Sequence, residues 1–83
     1  MDIFWTRNAI RDLKQLPFAA QKRIVSKMRF FVSCKNPLDF AKPLHGGYLG
    51  SYRFRVGDCR IVIDVLGQSI FVLKIAKRDQ IYS

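Results

Sequence analysis

The segment Tyr52-Arg53-Phe54-Arg55-Val56-Gly57-Asp58-Cys59-Arg60-Ile61-Val62-Ile63 constrains the fold more than any other part of the chain, because it sets its own register. Two alternating runs flank Gly57-Asp58, a glycine-first pair suited to a two-residue hairpin turn. With that turn Val56 opposes Cys59, Arg55 opposes Arg60, Phe54 opposes Ile61 and Arg53 opposes Val62. Directly opposed residues share a face, so Arg53, Arg55 and Arg60 gather on one side, and Tyr52, Phe54, Ile61 and Ile63 on the other. The second side is the predicted core. Guanidinium groups crowded on the first side repel one another, and a polyanionic substrate is the simplest reason to hold them there.

A third strand follows Leu66-Gly67-Gln68, so the stretch from Lys42 to the C-terminus reads as a three-stranded antiparallel meander. A three-residue turn pairs Val65 with Ser69, Ile63 with Phe71 and Ile61 with Leu73, which extends the apolar face and assigns Phe71 to the core. Lys74 then opposes Arg60, and Arg55, Arg60 and Lys74 form a predicted row across the sheet at about 4.8 Å per strand step.

The first half of the chain reads as helical. Ile3-Phe4-Trp5 is a short strand and Thr6 a helix N-cap. A helix near Arg7 to Gln15 places Ile10 and Leu13 inward, and Leu16-Pro17 ends it. Pro17 opens a second helix whose apolar positions are Phe18, Ile24, Val25, Met28, Phe31 and Val32, with Lys22, Arg23, Lys27 and Arg29 opposite. Asn36-Pro37, Lys42-Pro43 and Gly46-Gly47 read as a loop leading to the sheet. The expectation is one α+β domain over residues 1–83: an N-terminal strand, a helical hairpin, then the meander, with the helices packed on one face of the sheet.

Charge narrows the class of partner. Lysine and arginine number 15 against six acidic residues, all aspartate, for a net charge of +9. Such a balance in a chain of this size is the usual footprint of a nucleic-acid partner. The first residues lack the apolar core of a signal peptide and no stretch is long and apolar enough to span a bilayer, so a cytoplasmic protein with no membrane partner is expected. Cys34 and Cys59 lack paired metal spacing and accompany the single His45, so neither a metal site nor a cofactor is expected.

Arginine matches phosphate oxygens bidentately and stays protonated at physiological pH, so clustered arginines can orient a phosphodiester and stabilise its transition state. Acid–base candidates are fewer: His45, on the loop entering the sheet, and Tyr82, near the end of Arg78-Asp79-Gln80-Ile81-Tyr82, with Ile81 as an apolar anchor. Lys42-Pro43-Leu44-His45-Gly46, the Tyr52–Val62 segment and Ile75-Ala76-Lys77-Arg78-Asp79-Gln80-Ile81-Tyr82 together resemble the RelE/ParE superfamily of type II toxin–antitoxin toxins, and more closely its RelE branch.

That resemblance implies a toxin that enters the ribosomal A site and cuts messenger RNA there without metal, by driving the ribose 2′-hydroxyl onto the adjacent phosphate. It also implies a cognate antitoxin as partner. Family positions for basic residues correspond to Arg53, Arg55, Arg60 and Arg78, and that of a terminal tyrosine to Tyr82. Where the best-known members carry lysines, this chain carries Arg53 and Arg55, and arginine is a poor general base. The proton acceptor is therefore Tyr82, whose phenolate neighbouring cations would favour, or His45. Arg55, Arg60, Arg78 and Tyr82 are the expected catalytic residues, with Arg53, Lys74, Lys77 and His45 binding substrate. A ParE-like toxin that inhibits DNA gyrase by binding, and a non-catalytic basic nucleic-acid-binding domain, are the alternatives.

Overall fold

The computed structural model describes residues 1–45 and 50–77. Its order is β1 (Asp2–Trp5), α1 (Arg7–Lys14), α2 (Phe18–Ser33), a 3-10 turn (Pro37–Phe40), β2 (Ala41–Pro43), β3 (Tyr52–Val56), β4 (Cys59–Leu66) and β5 (Ser69–Lys77). The strands form one five-stranded sheet in the order β1-β5-β4-β3-β2. The expected meander is its centre, flanked on one side by β1, which runs parallel to β5, and on the other by the short β2, antiparallel to β3. Reading Lys42-Pro43 as loop is thus corrected: a proline is tolerated on an edge strand, where no neighbour needs its missing N–H.

Both helices cover one face. Ala9, Ile24, Met28 and Phe31 pack with Phe54, Val56, Cys59, Ile61, Ile63, Ile70, Val72 and Ile75 in the main core. Phe31 stacks on Phe54 with ring centroids 4.7 Å apart and 10° between planes. Two positions expected to face inward do not: Ile10 is exposed, and so is Phe18 at 73%. Ala9 takes the inward place on α1, and Phe18 begins its helix too early to reach the sheet.

Thr6 carries out its predicted role and more. Its Oγ1 accepts from the Ala9 N–H at 3.2 Å, closing the first turn of α1, and donates to the Val72 carbonyl at 2.7 Å. Asn8 donates to the Leu73 carbonyl at 2.9 Å, and Asp12 accepts from the Ile75 N–H at 3.0 Å. Where β1 stops, α1 therefore takes over as hydrogen-bonding partner for the edge of β5, so its backbone groups remain satisfied.

The β3–β4 hairpin has the predicted register at every pair, and Gly57 adopts φ 60° in its turn. The β4–β5 hairpin does not. Its turn contains two residues, Gly67 and Gln68, so Leu66 pairs with Ser69, Val65 with Ile70 and Ile63 with Val72. A bulge between Val62 and Ile63 then shifts the phase, pairing Val62 with Lys74, Ile61 with Ile75 and Arg60 with Ala76. The sequence favours a three-residue turn because, with strict alternation, a two-residue one puts Phe71, Leu73 and Ile75 among the arginines. The bulge, at Leu73 on β5, keeps Phe71 and Leu73 on the open face but lets Ile70, Val72 and Ile75 all face the helices.

Candidate functional site

The site lies on the face of the sheet that the helices leave open. Strand alternation brings Arg53, Arg55 and Arg60 to this face, with Arg55 directly across from Arg60. Arg60 is the one buried polar residue among the described residues, 6% exposed, while Arg55 is exposed and Arg53 half-buried. Val62 and Ala76 form the small apolar floor beside them, packed by Leu44 and Leu73. A charge set in low-dielectric surroundings acts on an approaching anion more strongly than the same charge in water.

The predicted Arg55–Arg60–Lys74 row is corrected by the bulge. Ala76 stands across from Arg60, and Lys74 stands across from Val62. Lys74 still shares the open face, now in the adjoining row. Because β2 pairs Lys42 with Arg53, and Arg53 faces Val62, that row reads Lys42, Arg53, Val62, Lys74. Lys42 is a basic member that sequence reading missed. Lys42 and Leu44 stand two residues apart, the spacing that puts both on one strand face, but the surrounding breakers conceal a strand.

Lys77 goes elsewhere. It pairs with Cys59, whose side chain belongs to the helix-covered core, so the register turns Lys77 away from the arginines. Arg23 of α2 reaches the same rim: its guanidinium lies 3.2 Å from where a Cβ on Gly57 would stand. Burial pushes the Cys59 thiol up from its ordinary pKa and Asp58 adds to this, with Lys77, Arg23 and Arg60 opposing. His45 is exposed, one residue past Leu44, whose N–H donates to the Ser51 carbonyl at 3.0 Å. Asp64 sits further along the open face and accepts from Ser51 Oγ at 2.7 Å. Arg78 and Tyr82 lie outside the described residues.

On this same face, Gly50 brings the incoming chain down against β4. It adopts φ 150°, and a Cβ there would stand 2.6 Å from Val62 Cγ1 and 3.0 Å from the Ile63 carbonyl oxygen. Among the described residues no three His, Cys, Asp or Glu side chains gather where they could hold a metal. No described helix is long and apolar enough to cross a membrane.

A family model described as the ParE toxin of the type II toxin–antitoxin system parDE matches residues 3–82. The chain belongs to the RelE/ParE superfamily of toxins. Toxin RelE3 of Methanocaldococcus jannaschii is 33% identical over 89 aligned residues, covering 99% of this chain and 96% of that protein. In structure, the toxin resembles a chain of the RelBE2 toxin–antitoxin complex of Mycobacterium tuberculosis, with TM-score 0.76, 25% identity and coverage of 93% and 96% of the two chains. It resembles a chain of the RelB–RelE antitoxin–toxin complex of Methanococcus jannaschii with TM-score 0.70, 30% identity and coverage of 95% and 94%. The arrangement described above, two helices packed on a five-stranded mixed sheet, is an α+β fold that matches these toxin structures.

Proposed function

We propose that this RelE-like toxin is a ribosome-dependent endoribonuclease that cuts messenger RNA in the A site and is held inactive by a cognate antitoxin in the cytoplasm. The observation that carries the reading is the direct opposition of Arg55 and Arg60 on the helix-free face, with Lys42, Arg53 and Lys74 in the next row. Like charges placed across a strand pair are destabilising, and an arrangement that tolerates them is suited to an anion bridging them. The similarity to RelE3, and to toxin chains solved as RelB–RelE complexes, supports both the activity and the antitoxin.

In this mechanism the ribose 2′-oxygen attacks the adjacent phosphorus and the bond to the 5′-oxygen breaks, leaving a 2′,3′-cyclic phosphate and a 5′-hydroxyl. Arg55 and Arg60 grip the non-bridging oxygens and stabilise the charge that builds there. Arg53, Lys42 and Lys74 hold the flanking phosphates. Arg78 assists at the reacting phosphate, Tyr82 or His45 takes the 2′-hydroxyl proton, and water supplies the proton that the departing 5′-oxygen takes up. Lys77, turned to the other face, is assigned to general attraction of RNA rather than to the phosphate under attack.

The test is cleavage of messenger on programmed ribosomes, mapped by primer extension. Arg60→Ala should slow cutting about 10²- to 10³-fold with a much smaller effect on ribosome binding. Lys27→Ala, on the exposed side of α2, should chiefly weaken binding and reduce its salt dependence. The match to a ParE toxin model keeps a second reading alive: intact messenger together with gyrase-dependent DNA breaks would replace the nuclease with a gyrase-binding toxin.

A further inference from the structure

The open face carries a second feature that the arginine cluster does not use. Phe4 of β1 and Phe71 of β5 are paired across the parallel strands, and their rings stack with centroids 5.3 Å apart and 21° between planes. Phe71 opposes Asp64, so the pair shares the face of Arg53, Arg55 and Arg60. Phe4, on the edge strand, is 49% exposed. Two phenyl rings held flat against each other at a sheet edge, with no strand beyond among the described residues, leave an aromatic face available to a further planar group.

We infer that Phe4 and Phe71 form a stacking platform for a base of the bound RNA, a short distance along the strand from the phosphate held by Arg55 and Arg60. Arg60 and Asp64 are four residues apart on β4, about 13 Å along the sheet. Lys74, Arg53 and Lys42 lie between these two levels. Phosphate grips followed by an aromatic stack within about two nucleotides is the layout by which proteins hold single strands, with charge tracking the backbone and rings receiving bases. Stacking tolerates any base, so the platform sets the position of the strand rather than its sequence. The ligand in this inference rests on the ribonuclease reading.

Leu66, exposed at the β4–β5 turn on the same face, makes an apolar protein segment the competing occupant. The two can be separated by chemistry, since leucine offers apolar area without a π face. The probe is a 2′-O-methyl RNA hexanucleotide, which cannot be cut, carrying one 2-aminopurine whose quenching reports stacking. The double variant Phe4→Leu with Phe71→Leu should bind about tenfold more weakly and lose the quenching, whereas Phe4→Tyr with Phe71→Tyr should restore both. On an oligonucleotide abasic at that position, parent and leucine variant should bind alike. Leu66→Ser should leave RNA binding unchanged, and thermal unfolding of each variant checks the fold.

Equal affinity of parent and leucine variant, or a loss that persists on the abasic strand, would overturn the platform. So would weakened antitoxin binding by Leu66→Ser and the double leucine variant with RNA binding intact, which would make the patch a protein dock. Full platform behaviour in a toxin that fails to cut messenger on ribosomes would sustain this inference and remove the nuclease reading instead.

Discussion

Asp12→Ala should expose how strongly α1 holds the shape of β5. In the native chain Asp12 accepts the Ile75 N–H at 3.0 Å, next to the bulge and partly buried. A hydrogen bond to a carboxylate is worth about 1.5–3 kcal/mol, and partial exposure puts this one near the lower end. Against that, Asp12 stands toward the C-terminal end of α1, where a negative charge opposes the helix dipole, so its removal returns about 0.3–0.5 kcal/mol. The net loss is about 1–1.5 kcal/mol, or roughly 4–12 °C in Tm for a chain of this size. Asp12→Asn keeps an oxygen acceptor and relieves the dipole, and should stay within about 0.5 kcal/mol of the parent. Urea unfolding gives the stability, and amide exchange at Ile75 gives the local opening, expected to rise about tenfold in the alanine variant. Unchanged stability with unchanged Ile75 protection would show that β5 keeps its bulge without α1, and the reasoning would fail.

Two further outcomes follow from close contacts. Gly50→Ala should cost about 3 kcal/mol in chemical denaturation, since it combines an unfavourable φ with overlap onto β4; Val62→Ala in the same chain should recover only part, because the Ile63 carbonyl cannot retreat. Cys59 carries a pKa raised by burial and by Asp58, so the folded protein holds this proton more tightly than the unfolded chain. Its contribution is fully present below the unfolded thiol pKa, near 8.5, and is lost as pH rises through the folded value. Stability should therefore fall above about pH 8.5 more steeply in the parent than in Cys59→Ala, and equal alkaline slopes would contradict the assignment.

What the sequence disclosed followed from local rules. A glycine-first turn between alternating runs decided the β3–β4 register and hence the shared face of Arg53, Arg55 and Arg60, and Thr6 was recognisable as a cap from its place before α1. The β4–β5 register was hidden because burial of Ile70, Val72 and Ile75 is inconsistent with strict alternation, and alternation is all that a single strand's sequence displays. The hydrogen bonds made to β5 around the bulge come from Thr6, Asn8 and Asp12, more than sixty residues upstream in the chain. Lys42 was missed for a related reason: β2 is three residues long and exists only because β3 offers it an edge. Phe71 looked like core because its neighbours in the wrong register were apolar, and its stack on Phe4 required knowing that β1 returns beside β5.

The bulge at Leu73 also acts as a joint between two halves of β5. On the turn side, odd-numbered positions face outward beside Phe4; past the joint, Lys74 and Ala76 do so beside the arginines. A one-residue change in the length of the Gly67-Gln68 turn would invert the first half, yet a compensating change at the joint would return the second half to its original phase. Variation at the aromatic end of the face can therefore accumulate without moving the residues across from Arg60, which makes the two ends separable targets for selection and for engineering.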